Sequence, residues 1–152
     1  MKKSYIVAAS AHIPAAPDRV YAIIADYHDG HRRILPKQFT ALTVEKGGVG
    51  AGTIIHVQMR VFGRMQSYRA AVTEHEPGRV LVETDLANNG PVTTFRGNPT
   101  HQGTEVTIAT VLPVRTALLG SIERALSTRY LLPIYRKELE LLAQVATNPG
   151  AL

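Results

Sequence analysis

The chain reads as an α+β protein, a curved antiparallel sheet wrapped around a long C-terminal helix, on three observations. Between Phe39 and Leu112, β-rich runs alternate with turn signals at Gly47-Gly48, Gly50, Gly52, Gly63, Pro77-Gly78, Asn89-Gly90 and Gly97 to Gly103, the spacing of an antiparallel meander. After Pro113 the apolar period becomes helical, with Leu118, Ile122 and Leu126 on one face and Tyr135, Leu139, Leu142 and Ala146 on its continuation. Ahead of Phe39 lie one β-rich run and one amphipathic helix that opens on a proline.

Residues 4 to 13 form the first strand. Pro17 at the first helical position and Asp18 in the first turn open a helix whose Val20, Ile23 and Ile24 share a face, and it ends near Tyr27. The polar segment His28 to Leu35 contains Gly30 and is closed by Pro36, so it reads as a second short helix or a loop. Six strands fit the middle stretch. In the last helix Pro133 lacks the N–H of the helical ladder and is expected to kink or divide it. The order is thus β, αα, six β, α in one domain of residues 1–152, with 147–152 as a frayed tail.

A chain of 152 residues with 45% hydrophobic side chains buries about 70% of its unfolded surface, which excludes disorder as the main state. The absence of cysteine excludes a disulfide scaffold, a thiolate metal site and a cysteine nucleophile. Met1-Lys2-Lys3 before Tyr5 to Ala9 imitates a secretory leader, but the apolar stretch falls short of the required length of about 7 to 15 residues. No apolar run reaches the roughly 20 residues of a membrane span, so a cytoplasmic protein without a membrane span is expected. The net charge of +5 comes from Lys and Arg scattered along the chain rather than gathered in a block.

Strand register carries the reading toward function. A two-residue turn at Gly63-Arg64 pairs Met59 with Tyr68, Val57 with Ala70 and Ile55 with Val72 on an apolar face, leaving Arg60 and Arg69 on the wet one. A type I′ turn at Asn89-Gly90 pairs Thr84 with Phe95 and sets Glu83 opposite Arg96 on the reverse face. With Glu105 beside Arg96 in the last strand, a Glu83, Arg96, Glu105 ladder faces solvent. The Pro77-Gly78 turn needs a three-residue loop or a bulge, because a two-residue loop sets Val72 opposite Glu83.

Several local motifs appear in a telling order: Ile13-Pro14-Ala15-Ala16-Pro17-Asp18-Arg19-Val20-Tyr21, Ala25-Asp26-Tyr27, Gly50-Ala51-Gly52-Thr53, Tyr68 through Pro77, and Gly103-Thr104-Glu105-Val106-Thr107. In this order the chain resembles the START-like superfamily of polyketide cyclases and dehydratases, also called SRPBCC or Bet v 1-like, over roughly residues 5 to 146. The resemblance implies a helix-grip fold with a cavity between sheet and long helix that holds an apolar or amphipathic small molecule. One departure stands out: after Tyr27 such proteins often carry tryptophan, whereas this chain continues His28-Asp29-Gly30-His31 and has no Trp.

The register supplies the expected lining: Val57, Met59, Tyr68, Ala70, Val82, Thr84, Phe95, Ile108 and Thr110 from strands, capped by Leu118, Ile122 and Leu126. Tyr27, His31, Arg32 and Leu35 belong to the entrance, where His31 to Arg33 make a cationic lid loosened by Gly30, suited to the acidic head of an amphipathic ligand. For each aliphatic residue, plain core packing is the alternative role. His28 and His31 lie three apart without a third ligand, so neither a metal nor another cofactor is expected. Glu83, Asp85 and Glu105 could pair for acid/base work, but the register sends them outward. Binding of a hydrophobic or amphipathic molecule, lipid or polyketide-like, is therefore expected ahead of catalysis by a polyketide cyclase or dehydratase. A ribosome- or nucleic-acid-facing role would use Arg32, Arg33, Arg60, Arg64 and Arg69 and is disfavoured by the few aromatics that accompany them. The sequence leaves the oligomeric state open. On this reading Ile122→Ala should enlarge the cavity and cost about 2 to 5 kcal/mol.

Overall fold

The computed structural model describes residues 3–115 and 118–148; Met1 and Lys2 of the leader-like start and residues 149–152 of the expected tail lie outside them. The elements are β1 (Ser4–Ile13), α1 (Pro17–Ala25), α2 (Gly30–Arg33), β2 (Phe39–Lys46), β3 (Ile54–Val61), β4 (Arg64–Glu76), β5 (Val80–Asp85), β6 (Val92–Thr100), β7 (Gly103–Pro113) and α3 (Gly120–Thr147). One curved antiparallel sheet takes all seven strands in the order β1-β7-β6-β5-β4-β3-β2. Only β1 departs from the meander, returning beside β7 from Ser4↔Pro113 to Ile13↔Thr104. The helix-grip architecture read from the sequence is the one formed, with its six strands between the two helical segments.

The core lies between the inner face of the sheet and α3, where Ile55, Leu81 and Ile108 meet Ile134, Leu139 and Leu142 in one buried cluster. The expected α3 face of Tyr135, Leu139, Leu142 and Ala146 is buried. The stretch toward its N-terminus differs: Leu118, which precedes the helix, and Ile122 and Leu126 within it are 98%, 56% and 51% exposed, so they do not cap the interior. The helix runs unbroken through Pro133, which lies with Arg129 on the side away from the core. Both Arg129, whose carbonyl loses its donor there, and Pro133 are exposed, so water can serve that carbonyl and the helix is not divided.

Two hairpins depart from the expected register, with opposite consequences. The β3–β4 turn uses Phe62 and Gly63, with φ of 48° and 78°, so Val57 pairs with Tyr68 and Ile55 with Ala70. The shift is even, and every side chain keeps its face. Between β5 and β6 the Asn89-Gly90 turn does not close, because Pro91 stands where the turn needs an N–H donor. The chain instead makes a wider connection in which the Asp85 N–H donates to the Pro91 carbonyl, and Leu81 pairs with Phe95 and Glu83 with Thr93. This shift is odd and reverses β5 relative to β6. Glu83 and Asp85 turn inward, Thr84 turns out, and the Glu83, Arg96, Glu105 ladder does not form. Arg96 stands between Val80 and Thr107 instead. The Pro77-Gly78 connection carries an irregularity, a register shift between Glu74 and Glu76, yet Val72 stands opposite Glu83, the pairing that the irregularity was expected to avoid.

Leu81→Ala is expected to destabilise the protein by about 2 to 5 kcal/mol through the void it leaves. Ile122→Ala should change stability by no more than about 0.5 kcal/mol, contrary to the expectation from helical period alone. Urea midpoints of the two variants measure the contrast.

Candidate functional site

A cavity of about 470 Å³ lies between the inner sheet face and α3. Leu42 of β2, Ile55, Val57 and Met59 of β3, Ala70 of β4, Phe95 of β6 and Ile108 of β7 give it apolar walls, and the exposed Phe62 and Arg115 mark its mouth. Of the residues expected from sequence, His31, Leu35, Val57, Met59, Tyr68, Ala70, Phe95, Ile108 and Thr110 line it. Val82 and Thr84 do not. They alternate away from Leu81 and Glu83 in β5, Val82 buried and Thr84 exposed. Leu118, Ile122 and Leu126 are replaced as the helical wall by Leu131, Tyr135 and Glu138 from the opposite side of α3.

The segment expected as a mobile cationic lid is a packed support. A Cβ on Gly30 would lie 2.6 Å from the Ile23 carbonyl oxygen, so only glycine lets α2 approach α1 this closely. Asp26 holds the link between them: its Oδ1 accepts from the His28 and Asp29 N–H groups, and its carbonyl accepts from the His31 N–H at 2.8 Å. Arg32 lines no part of the cavity, since its guanidinium donates to the Leu42 carbonyl. Arg33 pairs with Asp29 at 3.0 Å and Arg69 with Glu45 at 2.6 Å on exposed surface.

What this support carries into the cavity is His31. Its Nδ1 donates to the Ile24 carbonyl at 2.7 Å, a bond that fixes the tautomer because a carbonyl can only accept. The ring stacks on Tyr27 with centroids 4.4 Å apart and meets Phe95 edge-on at 5.5 Å, while Nε2 points to Glu83 Oε1 at 3.6 Å. Tyr27 is buried behind the wall rather than in it, and its hydroxyl donates to the same Glu83 oxygen at 2.6 Å. Burial, then the nearby Glu83, push the Tyr27 hydroxyl well above its usual range, so it remains a donor at neutral pH.

Glu138 reaches the same cavity from α3. It is 3% exposed and makes no hydrogen bond to any described residue. Burial, and then the proximity of Glu83, hold its carboxyl well above the ordinary value of 4.5. Tyr68 stands near both carboxyls, its hydroxyl raised by burial and by their charge, and likewise bonds no described residue. Opposite them, Tyr135 joins a hydroxyl chain through Thr110 to Thr93. The polar inventory thus centres on the neighbouring carboxyls of Glu83 and Glu138, with Asp85, a positioned imidazole and the hydroxyls of Tyr68 and Tyr135, in a cavity whose walls are mainly apolar, a set able to hold hydrogen-bonding groups or move protons. No group of three His, Asp or Glu among the described residues is arranged to hold a metal ion.

Sequence reading missed Glu83 through the parity of two hairpins, since the structure sets it beside Thr93 of β6 and also opposite Val72 of β4, the pairing set aside at the Pro77-Gly78 turn. Glu138 had a signal: it stands three residues after Tyr135 and four before Leu142, a carboxylate in an apolar stripe.

Residues 5–147 match the family model described as polyketide cyclase / dehydrase and lipid transport, and the chain belongs to that family. No curated protein sequence matches. Among solved structures, the KanY protein superposes with a TM-score of 0.83 at 24% identity, covering 96% of this chain and 99% of its own. TTHA0849 from Thermus thermophilus gives 0.74 at 20% identity, covering 92% and 95%. The Zhui aromatase/cyclase from Streptomyces sp. R1128 gives 0.76 at 13% identity, covering 97% and 98%. These likenesses are likenesses of fold.

Because Glu138 binds its proton more tightly folded than unfolded, its contribution falls as pH rises above about 4.5. Glu138→Gln, which cannot ionise, should therefore gain stability over the wild type progressively as pH rises above about 4.5, with little difference below it. Thermal midpoints of both proteins across that range test the sign. Tyr27→Phe, which strips Glu83 of its hydroxyl donor, is expected to cost about 1 to 3 kcal/mol in urea titrations.

Proposed function

We propose that this protein binds a hydrophobic or amphipathic small molecule between its sheet and α3. The observation that carries this reading is the cavity of about 470 Å³, which falls in the range typical of small-molecule sites and has walls that are mainly aliphatic and aromatic. Family membership supports it, since the family description joins polyketide chemistry with lipid transport.

A second reading, catalysis of the cyclase or dehydratase kind, is favoured by one observation: Glu138, held as an acid, faces the same space as Glu83. On a β-hydroxy ketone, Glu83 would take the proton α to the carbonyl while Glu138 protonates the departing hydroxyl, which leaves as water as the carbon–carbon double bond forms. Proteins of similar fold include aromatase/cyclases, which supports this chemistry as the alternative.

N-phenyl-1-naphthylamine, a neutral apolar fluorophore, should bind the wild type and brighten. Ala70→Phe, which puts a ring into the wall between Ile55 and Asp85, should weaken binding by at least about tenfold while costing about 1 to 3 kcal/mol of stability. Equal brightening in both proteins would overturn the binding reading. Formation of a conjugated enone from a β-hydroxy ketone, lost in Glu138→Gln, would instead select the catalytic one.

A further inference from the structure

Resting on the binding reading, we propose that the ligand's buried head group is a protonated amine, which meets Glu138 and Glu83 while an apolar body fills the rest of the cavity. The charge inventory of the walls points this way. Three carboxyl side chains line the cavity, Glu83 and Asp85 from β5 and Glu138 from α3. Facing them are His31 from α2 and the guanidinium of Arg115, which is exposed at the mouth. An anionic head group would enter against the carboxyls with its obvious partner, Arg32, committed to the Leu42 carbonyl. The acidic head group expected from the sequence is therefore a poor fit.

Glu138 supplies an independent reason. It is 3% exposed, faces the cavity and makes no hydrogen bond to any described residue. Buried polar groups without partners are costly, and a carboxyl group in an apolar space is most strongly satisfied by a cation that also hydrogen-bonds it. The walls add aromatic rings from Phe95, Tyr68 and Tyr135, whose faces attract a desolvated cation. Glu83 has the Tyr27 hydroxyl on Oε1, and its place beside His31 keeps it aimed at the same space.

The pairing has a proton signature. Around Glu138 the titratable groups are Glu83 and Asp85 from β5, Tyr68 from β4, Tyr27 and His31 from the stretch after α1, and Tyr130 and Tyr135 from its own helix, with Arg115 at the mouth. In the free protein burial and the nearby Glu83 favour the protonated form of Glu138, and an ammonium group seated against it favours the carboxylate. Amine binding therefore releases a proton and tightens as pH rises, for as long as the amine itself stays protonated. A neutral ligand that accepts a hydrogen bond from the Glu138 acid shows the opposite sign.

Phenylbutylamine, phenylbutanol and phenylbutyrate share one apolar body and differ in the head group, so displacement of N-phenyl-1-naphthylamine by each isolates the head group's contribution. The amine should displace the probe from the wild type at about tenfold lower concentration than the alcohol, with the carboxylate weakest. Glu138→Gln, its fold checked by circular dichroism, should bring the amine close to the alcohol. Calorimetry of the amine in buffers of different ionisation enthalpy should report proton release in the wild type, a readout that needs no variant. Alcohol or carboxylate binding as well as the amine, or an amine affinity that falls with rising pH, would overturn the amine assignment and leave the cavity reading standing. Failure of the neutral fluorophore to bind the wild type would overturn the cavity reading and the amine assignment with it.

Discussion

Two carboxyl groups in an apolar cavity are the constraint around which this protein is arranged. A carboxyl withdrawn from water must be hydrogen-bonded, paired or kept protonated, and here the two groups are treated differently. Glu83 is given the Tyr27 hydroxyl and the neighbouring His31 ring, whereas Glu138 has no hydrogen bond to any described residue and its burial beside Glu83 favours the protonated form. Both partners of Glu83 come from the short stretch that follows α1. That stretch must be rigid, and the contact of Gly30 with Ile23, the Asp26 turn and the His31 bond to Ile24 make it so. Its basic residues therefore serve the fold: Arg32 ties α2 to β2, and His31 faces inward.

The long helix completes the arrangement by presenting two unlike faces along its length. From Tyr135 onward its apolar stripe is buried against the sheet, and the same face delivers Glu138 and the Tyr135 hydroxyl to the cavity. Toward its N-terminus Ile122 and Leu126, with Leu118 just ahead of the helix, are turned to solvent, while Tyr130 on another side packs at a tilt against Phe62 with centroids 4.5 Å apart. A helical period of apolar residues identifies a stripe but not the direction in which it faces. Where one helix carries two such stripes, packing against the sheet selects between them.

Much of the fold was legible in the sequence because it rests on local signals. Pro17 and Asp18 mark the start of α1, glycine-rich turns separate the strands, and alternation gives β3 and β4 their inner faces. The error in the β3–β4 turn was harmless, since sliding a hairpin by two residues returns each side chain to its own face. The aliphatic walls of the cavity, Val57, Met59, Ala70 and Ile108, were read from the same alternation and line it.

The amino-acid sequence by itself determined the order of elements, the apolar inner surface and the family to which the chain belongs. The tertiary structure alone decided which polar groups enter the cavity. Pro91 cannot donate the bond that would close a two-residue turn, so the β5–β6 connection widens, the pairing slips by an odd number, and Glu83 passes from the solvent face to the interior. Glu138 becomes chemically significant only when α3 is laid against that strand, because its proton is held by burial and by a neighbour 55 positions away in the chain, 138 − 83. Strand alternation is a local property, but the parity between two strands depends on the turn that joins them. The environment of a buried acid depends on every element packed around it.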